Sequence, residues 1–334
     1  MIESAYLRSL IAKAKNDIKT IVLPEGEDER ILKAAHIITG EKAAKIIILG
    51  DVGEIKKYYE KNGWSLEDIE LIDPKDSENL AQYTKLLYDL RKEKGMTEEE
   101  AAKLALNPNY FGTLMIKAGH ADGMLSGANH STADTVRPAL QIIKSAKKGS
   151  SVSSLLILVH DDKPYVLSDC AIIIDPTDKE MADAALDAAV NAIKFGIEPK
   201  VAMLSFSTKG SGKGDQVEKV KRATEIAQQA LQTDEYKHLN IKLDGELQAD
   251  AALDAVVGAK KAPGSEVAGR ANVLIFPDLA SANISYKMLQ RICGCEAYGP
   301  MLQGLNAPVN DLSRGALVED IVGMIAITSI QSQK

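Results

Sequence analysis

Cysteine is scarce in this chain of 334 residues. There are three, of which Cys293 and Cys295 form an isolated C-x-C and Cys170 stands alone. That excludes a disulfide scaffold and a four-ligand zinc pattern. The five histidines are scattered, with no H-E-x-x-H, so no metal is expected. Long apolar runs are missing as well, and nothing approaches the roughly 18 consecutive apolar residues of a membrane-spanning helix. Residues 1–16 read as an amphipathic helix with Arg8 and Lys13, lacking the apolar h-region and small-residue cleavage site of a signal peptide. A cytoplasmic protein without membrane contact is the expectation. Positive charge is also in deficit: 40 Lys and Arg against 47 Asp and Glu leave a net charge of −7, which argues against a nucleic-acid partner. An anionic substrate must then be met by a few basic residues gathered locally.

What is present is ordinary for a globular protein, with 45% apolar and 26% charged residues. The length is roughly twice the commonest domain size, so two domains are expected. Short β-branched runs at 20–23, 45–49, 69–72, 121–126, 153–159, 171–174, 201–206, 241–243 and 272–276 read as strands. They are continuous rather than alternating, the pattern of strands covered on both faces. Helical patterns at 29–39, 78–93, 97–106, 179–193, 217–231, 281–291 and 317–330 lie between them. This alternation predicts an α/β class with two α/β domains, each built on a mainly parallel sheet. Boundaries are suggested at the basic, Gly/Ser-rich Lys147-Lys148-Gly149-Ser150-Ser151 and at Tyr298-Gly299-Pro300. The first domain then comprises 1–148 plus a returning segment 300–334, and the second 149–299.

Three segments carry candidate chemistry. Lys209-Gly210-Ser211-Gly212-Lys213-Gly214 sits between a strand and a helix, as a phosphate loop does. Ser207 occupies the first glycine position of the Walker pattern and Gly214 its final hydroxyl position, so a nucleotide hydrolase is disfavoured. A βα loop touching an anion through backbone N–H groups and lysines is the milder reading. The second segment runs from Ser126-Gly127-Ala128-Asn129-His130-Ser131 to Thr135-Val136-Arg137-Pro138. With Pro138 at the first position of a helix over 139–147, Arg137 falls at its N-terminus. Backbone N–H groups, the positive dipole end and a guanidinium would then converge on one phosphate or carboxylate. Plain capping by Thr135 or Asp134 is the competing reading, and His130 is equally a hydrogen-bonded loop residue or a catalyst. The third is Asp311-Leu312-Ser313-Arg314-Gly315, followed by Glu319-Asp320. Residues 314 and 320 on one continuous helix would be about 600° apart, 240° past a full turn, and would not share a face. They converge only if 313–315 is a loop, with Asp320 in the first turn after it. The bland alternative is an acidic pair stabilising a helix N-terminus. Arg91, in Leu90-Arg91-Lys92-Glu93-Lys94-Gly95, reads on its own as a basic helix C-terminus.

These segments together resemble the phosphate acetyltransferase (phosphotransacetylase) family in its short, single-unit form. The likeness runs in order along nearly the whole chain, through Leu23-Pro24-Glu25, Leu90-Arg91-Lys92, the two segments around Gly127 and Arg137, Ser168-Asp169-Cys170-Ala171, Ser205-Phe206-Ser207-Thr208-Lys209-Gly210-Ser211, Asp244-Gly245-Glu246-Leu247-Gln248, Lys261-Ala262-Pro263-Gly264-Ser265, Phe276-Pro277-Asp278-Leu279 and Asp311-Leu312-Ser313-Arg314-Gly315. The resemblance implies reversible transfer of an acetyl group between acetyl phosphate and coenzyme A, with inorganic phosphate as the other product. It implies a cleft between two α/β domains, a homodimer, coenzyme A as co-substrate and no tightly bound cofactor. By matching positions, Asp320 is the base for the thiol, Arg314 holds and polarises the acyl phosphate, and Ser313 bonds the tetrahedral intermediate. Arg91 and Arg137 match arginines that meet substrate anions, and Asn283, Lys287 and Tyr298 match positions near the cleft. Direct attack in a ternary complex is expected, because none of the three cysteines has a histidine beside it in sequence.

One departure stands out: Ala171-Ile172-Ile173-Ile174-Asp175-Pro176 has isoleucines where many relatives carry Asn, and aromatics make up only 4%, which bears on how the acyl and pantetheine ends are lined. Alternatives are a butyryl-transferring relative, a metal-dependent decarboxylating dehydrogenase, and a non-catalytic coenzyme A sensor. The dehydrogenase lacks any G-x-G-x-x-G fingerprint, and retention of Ser313, Arg314 and Asp320 together counts against the sensor.

Overall fold

The computed structural model describes residues 4–147 and 149–333. Lys148, in the suggested boundary, and Met1–Glu3 of the N-terminal helix lie outside the described residues. The chain forms two compact units, one made of Met1–Ala146 and Leu305–Lys334, the other of Lys147–Gly304.

The first unit is built on five strands: β1 Thr20–Leu23, β2 Lys45–Leu49, β3 Ile69–Ile72, β4 Gly123–Ser126 and β11 Val309–Asp311. Their order is β11-β4-β1-β2-β3, and every pairing is parallel. β1, β2 and β4 are buried almost throughout, as continuous apolar runs require. The intervening helices carry local start and stop signals. Asp28 caps Glu29–Gly40, Thr97 and Glu100 form a capping box on Glu98–Ala105, and Asn107 with Pro108 opens Pro108–Ala118. The last helix, Val318–Ser332, is buried without interruption from Ile321 to Ile330. Each of its isoleucines contributes about 1.5–3 kcal/mol by leaving water. This helix therefore anchors the loop 312–317 that precedes it.

The second unit contains β5 Ser153–His160, β6 Lys163–Ser168, β7 Lys200–Leu204, β8 Lys242–Leu247, β9 Val273–Ile275 and β10 Glu296–Gln303. The order is β10-β5-β6-β9-β7-β8. β6, β9, β7 and β8 run parallel, while β10 and β6 flank β5 antiparallel. The fold is α/β, and in this unit the sheet is mixed.

Three expectations need correction. Residues 171–174 are not a strand. The Asp169 carboxylate gathers the N–H groups of Ala171, Ile172 and Ile173 at 3.0, 3.2 and 2.9 Å and turns the apolar run back on itself. The strand of that region is β6, reached from β5 by a two-residue turn whose Asp161 and Asp162 both adopt positive φ; its Pro164 precedes the stretch that β9 covers. The helix expected over 139–147 instead starts earlier, at Thr132, because Ser131 and Asp134 form a capping box there. Pro138 closes that helix, a π turn Ala139–Ile143 follows, and Arg137 lies in the last turn rather than at an N-terminus. Tyr298-Gly299-Pro300, read as a boundary, lies within β10 at a break in its register with β5.

Candidate active site

In the first unit the carboxyl end of the sheet is organised around the turn after β4. Gly127 takes φ +109°, and a Cβ on it would stand 2.4 Å from Asp311 Oδ1 and 2.6 Å from the Leu312 nitrogen. No other residue fits. The backbone then curls around one side chain, Glu25, which follows β1 and is fully buried. Glu25 Oε2 accepts the N–H groups of Gly127 and Ala128, each at 2.9 Å, and Oε1 accepts those of Asn129 and His130 at 2.8 and 2.7 Å. Four consecutive N–H groups form an anion nest, and the protein fills it with its own carboxylate. The convergence expected at a helix N-terminus beside Arg137 is a separate matter and falls with that helix start, since Arg137 lies in the last turn of Thr132–Pro138.

Arg30 ties this loop to the tail. Its Nε and Nη2 donate to the two oxygens of Asp28 at 3.1 and 2.7 Å, Nη2 also to the Ala128 carbonyl at 2.9 Å, and Nη1 to the carbonyls of Arg314 and Ala316 at 2.8 and 3.1 Å. All five donors of the guanidinium are engaged. Burial opposes ionisation of Asp28, but Arg30's hydrogen bonds outweigh it and hold the carboxyl below its ordinary value.

Ser126 is buried and donates to Asn109 Oδ1 at 2.9 Å, and Asn109 Nδ2 lies 3.1 Å from His130 Nδ1. The same His130 Nδ1 stands 3.5 Å from Glu25 Oε1. Asn129, Ser131 and Arg137 are exposed. Ser131 Oγ donates to Asp134 at 2.7 Å, and this with the Ser131 N–H keeps the Asp134 carboxyl below its ordinary value. Arg137 and Arg91, 46 positions apart in the chain, both act on Tyr110: burial raises its phenol pKa, and the two guanidiniums pull against that rise. Arg91 is the last residue of the helix Leu80–Arg91, half-buried, and its Nε is buried without a hydrogen bond. The arginines that sequence separates thus both act electrostatically on one phenol.

The tail supplies the remaining candidates. Asp311 ends β11, opposite Ser126, with 1% of its surface exposed. Its Oδ2 accepts from Thr132 Oγ1 at 2.6 Å, and its Oδ1 makes no hydrogen bond. Burial pushes this carboxyl up to about 6, against the Thr132 hydrogen bond. Ser313 and Arg314 are exposed on the loop, and Asp320 is at the third position of the helix Val318–Ser332. Asp320 Oδ2 accepts the Leu317 N–H at 2.8 Å, facing back toward the loop as the spacing argument requires.

In the second unit the loop resembling a phosphate cradle is also filled from within. Glu246 Oε1 accepts from Ser207 Oγ at 2.9 Å and from the Gly210 N–H at 2.7 Å. Lys209 Nζ donates to Asp244 Oδ1 at 2.5 Å and to the Gly245 carbonyl at 2.7 Å, so it is committed to its own unit. Asn283 Nδ2 donates to the Cys170 carbonyl at 3.1 Å, Lys287 Nζ stands 5.3 Å from the Tyr286 ring centre, and Tyr298, 2% exposed, donates to Glu296 at 2.7 Å. Sequence reasoning gave no role to Asp28, Arg30, Asn109, Tyr110 or Asp311, and quoted Glu25 without one. A carboxylate directly after a buried strand, at the carboxyl edge of a parallel sheet, was the available signal for Glu25.

Residues 5–329 match the family model described as phosphate acetyl/butaryl transferase. The chain is 48% identical over 329 residues to a phosphate acetyltransferase of Helicobacter pylori, covering 98% of this chain and 62% of that longer protein. It is 47% identical to a phosphate acetyltransferase of Thermoanaerobacterium thermosaccharolyticum, covering 98% and 100%. A solved phosphotransacetylase from Streptococcus pyogenes superposes with a TM-score of 0.90 at 47% identity over 98% of each chain.

Proposed function

The chain belongs to the phosphate acetyl/butaryl transferase family, and from that premise we propose that it is an acyltransferase interconverting acetyl-CoA and phosphate with acetyl phosphate and CoA. The observation that carries this reading is the tail: Ser313 and Arg314 on an exposed loop whose backbone Arg30 grips, with Asp320 in the first turn of the helix behind it.

A free thiol has a pKa near 8.5, and an ordinary Asp near 3.9 is about 4.6 units too acidic to deprotonate it outright, roughly 6 kcal/mol. The Leu317 N–H bound to Oδ2 keeps the Asp320 carboxylate turned toward the loop. Asp320 therefore accepts the proton as the sulfur attacks, so that no free thiolate forms. The acetyl carbonyl gains the S–C bond, its oxygen takes up negative charge, and the C–O bond to phosphate then breaks. Arg314 polarises the acyl phosphate and holds the departing phosphate, and Ser313 hydrogen-bonds the intermediate. Such donors contribute about 3 kcal/mol each. Arg91 and Arg137, both of which act electrostatically on Tyr110, carry the remaining anionic groups of the substrates. Attack is direct, in a ternary complex; the buried Cys170, whose thiol pKa burial raises, is unsuited to carry the acetyl group.

A homodimer goes with this reading. Ile284, Met288, Leu289 and Ile292 form an exposed apolar stripe on the helix Leu279–Cys293, the kind of face a second copy covers. A cytoplasmic setting goes with it too, and no described helix is long and apolar enough to cross a membrane. The deciding assay is thioester formation from CoA with acetyl and butyryl phosphate in parallel. Acetyl phosphate is expected to give the higher kcat/KM. A preference for butyryl phosphate assigns the longer acyl group, and no turnover of either refutes the transferase reading. An acetylated cysteine competent to pass its acetyl group to CoA would refute the ternary complex.

A further inference from the structure

The nest after β4 is built like an anion site, yet Glu25 closes it. The carboxylate is fully buried, comes from a segment about a hundred positions away in sequence, and satisfies four successive backbone N–H groups with its two oxygens. The loop so held presents Asn129, His130 and Ser131, and its Ala128 carbonyl is gripped by the same guanidinium that grips the Arg314 carbonyl. One side chain thus fixes the β4 loop, and through Arg30 the loop shares an anchor with the tail.

We propose that Glu25 is a positioning residue for acyl transfer: a built-in anion that sets the β4 loop and, through the Ala128–Arg30–Arg314 bridge, the backbone that carries Arg314. This rests on the transferase reading. Glutamine has the same size but only one acceptor oxygen, so its NH2 group would face two backbone N–H donors. Backbone donors cannot turn away, and the loop must open. Alanine would leave the nest empty and able to take a small carboxylate from solution.

The test compares wild type, Glu25→Gln and Glu25→Ala well below their unfolding midpoints, with formate as the probe. Glu25→Gln is expected to lower kcat about a hundredfold while amide exchange at 127–130 speeds up at least about tenfold. Formate is expected to raise the kcat of Glu25→Ala by at least about tenfold, with chloride at equal ionic strength and formate on wild type as inactive controls. The proposal falls if Glu25→Gln keeps kcat within about threefold of wild type, or if folded Glu25→Ala ignores formate. If Ala does not fold, Gln decides. If neither folds, Glu25 is a folding determinant and the positioning role is wrong. A wild type that makes no thioester refutes the transferase reading instead. Amide exchange in Glu25→Gln then still decides whether the carboxylate holds the loop, and unchanged exchange overturns that.

Discussion

The loops after β4 and after β7 look alike on paper: both follow a buried parallel strand, both are rich in glycine and small polar residues, and both suggest an anion cradle. In the folded chain each is closed by a buried carboxylate, but in different ways. Glu25 takes four backbone N–H groups, with the His130 ring nitrogen Nδ1 3.5 Å from its Oε1. Glu246 takes one backbone N–H and a serine hydroxyl, while the neighbouring Lys209 is bound to Asp244. The glycines differ as well. Gly127 has Asp311 and Leu312 pressed against it, whereas Gly210, at φ +86°, has open space where a Cβ would go. The lesson is that a glycine-rich loop identifies a place where backbone N–H groups gather, and says nothing about what fills it. The first loop is held chiefly by distant segments, Glu25 and Arg30 after β1 and Asp311 at the end of β11, and Arg30 also binds the backbone of the tail. The second is held by one neighbouring strand, β8, through Asp244 and Glu246.

The sharpest way to break this contrast is at the glycines. Gly127→Ala combines positive φ with an overlap onto backbone and a buried carboxylate, and is expected to cost about 3 kcal/mol or more. Gly210→Ala pays only for its backbone conformation, about 1 kcal/mol. Urea unfolding of the two variants measures the gap, and equal losses would remove the distinction between the loops. The carboxylates come next. Glu25→Gln leaves fixed N–H donors facing an amide and is expected to lose about 2–3 kcal/mol, whereas at Glu246 the Ser207 hydroxyl can rotate to suit a glutamine, limiting the loss to about 1 kcal/mol.

A smaller, pH-dependent effect belongs to Asp311, at the centre of the first loop's packing. Its folded pKa of about 6 lies above the ordinary value near 3.9, so the protonated form is the one favoured by folding. Its stabilising contribution is complete below about pH 4 and is lost as pH rises through about 6, a change of about 2–3 kcal/mol. Asp311→Asn, which mimics the protonated form, should therefore match wild type near pH 4 and exceed it at pH 7. Unfolding curves that stay parallel across this range would show that burial does not raise the Asp311 pKa as described.

How much of this was legible in the sequence follows from the range of the forces involved. β1, β2 and β3 match their predicted runs, because short stretches rich in β-branched residues carry their own signal. Residues 171–174 misled for the same reason, since an apolar run reads identically whether it pairs in a sheet or folds over Asp169. Ser131-x-x-Asp134 was a readable capping box, yet Pro138 drew the helix start seven residues late. At the site, the geometric argument about Gly315 and Asp320 needed only local spacing. The roles of Glu25, Arg30 and Asp311 did not surface, because each is defined by partners far along the chain and no local pattern records them.

The central claim is that side chains of the returning tail perform the acyl transfer. The most direct measurement is kcat for acetyl-CoA formation from saturating acetyl phosphate and CoA by Asp320→Asn. A folded variant slower than wild type by at least about a hundredfold is the predicted result, and one within about threefold of wild type contradicts the claim.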